Sequence, residues 1–150
     1  MDEMLGNHYF LARNYSRAAE LLEKALRVDP KNKLIRRKLI ICFAQIGRID
    51  HALTVFLSLI KEDIDFVINT DPVDDDCPCP ELVFEMEHGN YINHQSLDST
   101  IALGIFWLYC NLHKSFEYFT QAANMDKNNK MIKSIMTLLN VRMVKESTKV

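Results

Sequence analysis

At 150 residues, with 48% hydrophobic residues and only 4 Gly and 4 Pro, the chain can bury a real core and is neither collagen-like nor disordered. The formal net charge of -2 excludes broad electrostatic binding of nucleic acid, which needs a basic surface. Four cysteines are too few for a disulfide-stapled scaffold. The acidic start Met1-Asp2-Glu3-Met4 lacks the basic and apolar segments of a secretory leader. The longest apolar run, Ile101–Cys110, is roughly half of what a membrane-spanning helix needs. A cytoplasmic protein without a membrane span is expected.

The first helix is predicted from Asp2 to Arg13, with Leu5, Tyr9 and Ala12 at helical spacing and Gly6 offering a small surface for a close neighbour. Arg13-Asn14 makes the turn. Tyr15 opens a second helix whose inner face is Ala18, Ala19, Leu22, Ala25 and Leu26, and Asp29-Pro30 closes it. About 34 residues further on the order returns as Leu39, Phe43, Gly47, Ile49, Ala52, Phe56 and Leu59. No Asp-Pro follows there. Ile60, Ile64 and Val67 instead prolong the helix to about Asn69. A third copy places Leu103, Gly104 and Trp107 on one helix and Phe116, Phe119, Ala122 and Ala123 on the next. Its inter-helix turn is one residue short, and Lys127 stands where repeat one has a proline. A last helix, 130–145, carries a broad apolar stripe from Met131 to Met143, suited to covering an open end.

Taken together, these residues resemble the tetratricopeptide repeat family over most of the chain outside 70–98. The resemblance implies an all-α fold, a right-handed superhelical array of antiparallel helix pairs. One domain would hold about three repeats (2–32, 33–69 and 99–129), the insertion 70–98, and a C-terminal capping helix over 130–146. It also implies a non-enzymatic protein-interaction module, an adaptor or chaperone-like scaffold that binds a peptide or partner helix in a concave groove lined by each repeat's first helix. In that register the partner-binding candidates are Asn7, Phe10 and Leu11, then Arg37, Lys38, Ile41 and Gln45, then Ile101, Ile105, Leu108 and Tyr109. Some members clamp a terminal carboxylate with Lys and Asn. Asn7 matches one such position, but Glu3 stands where the clamp wants Lys, so that variant is not expected. Homodimerisation through the repeat-three or terminal helix is a further expectation.

Between the second and third repeats, residues 62–98 hold eleven acidic residues and no Lys or Arg, while both flanks are net positive. Pro72, Pro78 and Pro80 exclude a helix over 71–80, and a short helix is predicted over Glu81–His88 with Gly89 as its stop. Leu82, Val83 and Met86 form its apolar side. The pair Cys77-Pro-Cys79, with His88 and His94, supplies the ligand types of a tetrahedral zinc site and carries the alternative reading, a metal-binding or redox-responsive protein. Against it stand the one-residue gap between the cysteines and the aspartates 74–76, which disfavour a reactive thiolate. A calcium loop would need a central glycine that this stretch lacks. No motif orders a Ser, His and Asp for catalysis, so neither enzymatic activity nor a cofactor is expected. The helix Ile101–Tyr109 is apolar on nearly every side and must be covered on two faces, by its own hairpin and by a partner or the insertion.

Overall fold

A computed structural model describes residues 1–89 and 96–148 of the chain. Eight helices run in order among the described residues: α1 (Asp2–Leu11), α2 (Tyr15–Val28), α3 (Lys33–Gln45), α4 (Ile49–Ile68), α5 (Cys79–His88), α6 (Leu97–Leu108), α7 (Leu112–Met125) and α8 (Lys130–Ser147). The chain divides into two compact units, Met1–Leu59 and Ile60–Val150.

In the first unit, α2 and α3 start at asparagines. Asn14 accepts from the Arg17 N–H and Asn32 from the Ile35 N–H, each satisfying a donor the helix start leaves open. The α1–α2 turn closes with the Asn14 N–H donating to the Tyr9 carbonyl at 2.9 Å, and Arg13 takes a left-handed φ of 64°. The α3–α4 turn repeats this 34 residues later: the Arg48 N–H donates to the Phe43 carbonyl at 2.8 Å, and Gly47 has φ 83°. The shared bond spans five residues and identifies the same repeat turn in both places.

The rotation of α1 differs from the predicted one. Its buried positions are Gly6 and Phe10, whereas Leu5 is 41% exposed and Ala12 lies at the surface. The cause is the close approach of α2: a Cβ on Gly6 would stand 2.9 Å from the Leu22 side chain. Only the glycine face of α1 can sit there. The core of the unit then gathers Phe10, Ala18, Leu22, Leu39, Ile40, Phe43, Ala52 and Phe56.

The second unit begins inside α4. Asp63 is non-helical (φ -160°, ψ 82°), and its carboxylate accepts from the Phe66 N–H, so one residue both interrupts the helix and caps its continuation. The helix reaches Ile68, one residue short of the predicted end. Over 71–76 Asp71 Oδ1 accepts from the Val73 and Asp74 N–H groups and holds a turn where the prolines forbid helix. Helix α5 begins at Cys79, two residues before the predicted start, because Pro80 is tolerated in a first helical turn; Leu82 and Val83 are buried, Met86 half-buried and Phe84 turned outward. The helix packs on α6.

Helices α6 and α7 form the third hairpin. Phe119 fills the space beside Gly104, and the buried Ser115 hydroxyl donates to the Gly104 carbonyl at 2.6 Å. The turn is one residue shorter than the other two: the Asn111 N–H reaches back only four residues, to the Trp107 carbonyl, and no residue of the turn is left-handed. The closing turn nonetheless matches repeat one. Asn32 Nδ2 donates to Asp29 Oδ2 at 3.1 Å, and Asn129 Nδ2 donates to Asp126 Oδ2 at 3.2 Å. The Asp and Asn side chains hold this turn, so Lys127 replaces Pro30 without changing it. Helix α8 packs on α7 through Ile132, Ile135 and Leu139.

Candidate interaction surface

In the first unit the first helices of successive repeats, α1 and α3, lie side by side. Lys38 joins them: its Nζ donates to Asn7 Oδ1 at 3.1 Å and sits 5.7 Å from the Phe10 ring centroid. Phe10, Arg37 and Ile41 are buried; Asn7, Lys38 and Gln45 are half-buried; Leu11 is exposed. Leu34, 52% exposed, belongs with them. It precedes Lys38 by four residues on α3, a spacing that places both on one helix face and was readable in the sequence. Leu11 and Leu34 supply apolar contact area and Lys38 a positive charge, chemistry suited to an amphipathic segment with an acidic group.

The remaining candidates, Ile101, Ile105, Leu108 and Tyr109, lie in the second unit and are at most 2% exposed. Their helix α6 is packed by α7 and by α5, the helix of the insertion. An all-round apolar helix is stable in water only when covered in this way.

Among the described residues the cysteine pair belongs to no cluster that could hold a metal ion. Cys79 is fully buried, and its N–H donates to Cys77 Sγ at 3.4 Å, which makes the pair a packed turn leading into α5. The His88 ring stacks on Phe84 with centroids 4.6 Å apart, and Nδ1 pairs with the Phe84 carbonyl at 3.2 Å. His94 lies outside the described residues. No group of three or more His, Cys, Asp or Glu among the described residues could hold a metal ion. Cys42 and Cys110 are free thiols. Burial pushes the Cys42 thiol up to about 12, the reverse of what a reactive thiolate requires.

No helix among the described residues is long and apolar enough to cross a membrane. The family model for the tetratricopeptide repeat matches residues 9–65, which run from α1 into α4. Neither the comparison with curated proteins nor that with solved structures gave a match. Repeats of this family generally mediate protein–protein interactions, and their fold typically serves as a non-enzymatic scaffold. Residues 9–65 therefore match the tetratricopeptide repeat family, and the described residues form an all-helical arrangement consistent with a repeat array of that kind.

Proposed function

We propose that the protein is a non-enzymatic interaction module that receives an amphipathic segment of a partner protein on the α1–α3 face of its first unit. The observation that carries this reading is the Asn7–Lys38 hydrogen bond between α1 and α3, with Leu11 and Leu34 exposed on the same two helices. Apolar anchors on such a face supply most of the affinity, and the charge beside them selects the partner and its direction. Lys38 favours an acidic residue next to the apolar anchor. Affinity capture from the native cell extract tests this with the double substitution Leu11→Glu and Lys38→Glu. The partner recovered by the native chain is lost with the double variant and kept with Val144→Glu, an equally drastic change at an exposed site on α8. Equal recovery by the native chain and the double variant overturns the reading.

A further inference from the structure

The second unit contains an open cavity of about 440 Å³ whose walls belong to the insertion on one side and to the end of α6 and the turn after it on the other. Pro80, Val83 and Phe84 of α5 line the first wall, and Trp107, Tyr109 and Cys110 line the second. The size lies in the range of ligand-holding cavities, and the lining is mostly apolar with a few polar groups, the usual balance of a recognition site. Phe84 remains 64% exposed, covered only in part by the stacked His88 ring. Glu87 also lines the cavity, and one of its oxygens accepts the Tyr118 hydroxyl. That bond fixes the carboxylate while leaving its second oxygen for a donor.

Charge decides what fits. Helix α5 carries Glu81, Glu85 and Glu87 and no Lys or Arg, and the turn before it carries Asp71, Asp74, Asp75 and Asp76. Against this, Lys114 lies 5.2 Å from the Trp107 ring centroid and brings one positive charge to the second wall. The acidic groups are distributed along the chain from Asp71 to Glu87, a spread that suits a peptide with several cations better than one small cation. We propose that the cavity receives an aromatic or branched aliphatic side chain of a partner polypeptide, with neighbouring lysines or arginines of that polypeptide meeting Glu87 and the acidic turn. The site is independent of the α1–α3 face and of opposite charge preference. The apolar anchor gains by leaving water, and the flanking charges set specificity and the rate of encounter.

Trp107 is the one tryptophan of the chain and lines the cavity, so its fluorescence reports the site directly. The full chain is titrated with a short capped peptide carrying one phenylalanine between lysine pairs. A saturable change in emission is expected. Replacing the lysines by glutamates, or the phenylalanine by serine, is expected to weaken it about tenfold or more. The variant Phe84→Ser, at an exposed position that leaves helical content unchanged, weakens binding similarly, whereas Val144→Ser does not. The proposal is overturned by no saturable change, by equal binding of the glutamate peptide, or by undiminished binding to Phe84→Ser. Free phenethylamine binding as tightly as the peptide overturns it too, because the cavity would then be a small-molecule site.

Discussion

The Phe119 ring lies 2.8 Å from where a side chain on Gly104 would begin, closer than real carbon atoms approach. Repeat one has the same device with a softer neighbour, since the Leu22 side chain stands 2.9 Å from the corresponding point on Gly6. Both hairpins thus depend on a glycine that lets the second helix come close. In the third the facing group is a fully buried ring that cannot fold away. Gly104→Ala is expected to cost about 1–3 kcal/mol through overpacking, despite alanine's better helix propensity. Chemical denaturation checks this, and adding Phe119→Leu to Gly104→Ala should recover part of the loss. A neutral or stabilising Gly104→Ala would show that the helices meet elsewhere.

Arg13 occupies the left-handed position that Gly47 fills in the next repeat. A side chain there strains the backbone by about 1–2 kcal/mol, partly offset by glycine's larger loss of freedom on folding. Arg13→Gly should therefore stabilise the chain by about 0.5–1 kcal/mol, read as a higher urea midpoint. Gly47→Ala should destabilise it.

The buried Cys42 thiol gives stability a dependence on alkaline pH. Burial raises its folded pKa to about 12, above the unfolded value of about 8.5. Between those values the unfolded chain loses the proton and the folded chain keeps it. The contribution is therefore complete below about pH 8.5 and is lost as pH rises toward 12. Urea midpoints measured from pH 8 upward should fall less steeply for Cys42→Ala than for the native chain, whatever constant offset the smaller side chain adds.

Within the second unit, Arg142 of α8 donates through Nε to Asp65 Oδ1 at 2.7 Å. Asp65 is 44% exposed on its side chain, so solvent screens the pair, and its worth is about 0.2–1 kcal/mol. A double-mutant cycle with Arg142→Ala and Asp65→Ala should return a coupling of that size at low salt and a smaller one at high salt.

The repeat pattern was legible because its signals are local. A turn residue, a capping asparagine and an apolar stripe each follow from a few neighbouring residues, and this predicted the third hairpin with its short turn although Lys127 replaces the family proline. The rotation of α1 was not legible. Leu5–Tyr9 and Gly6–Phe10 fit helical spacing equally well, and only the approach of Leu22 from another helix decides between them. The apolar helix after the insertion announced that two faces needed cover, and α5 provides the second. Nothing in its own residues named that cover. Cys77 and Cys79 carried only the alternative metal reading in the sequence, where spacing gives no information on depth, and Cys79 is fully buried. Leu34 lies outside the family register of groove positions, and only its four-residue spacing to Lys38 brings it to the proposed face.

The most direct measurement of the central claim is site-specific photo-crosslinking of the whole chain in its native extract. A photoreactive residue is placed in turn at Leu11, at Leu34 and at Val144, all exposed. If the α1–α3 face receives a partner segment, the first two positions give the same crosslinked protein and Val144 gives none of it. Crosslinks of equal yield from Val144, or none from Leu11 and Leu34, would contradict the account.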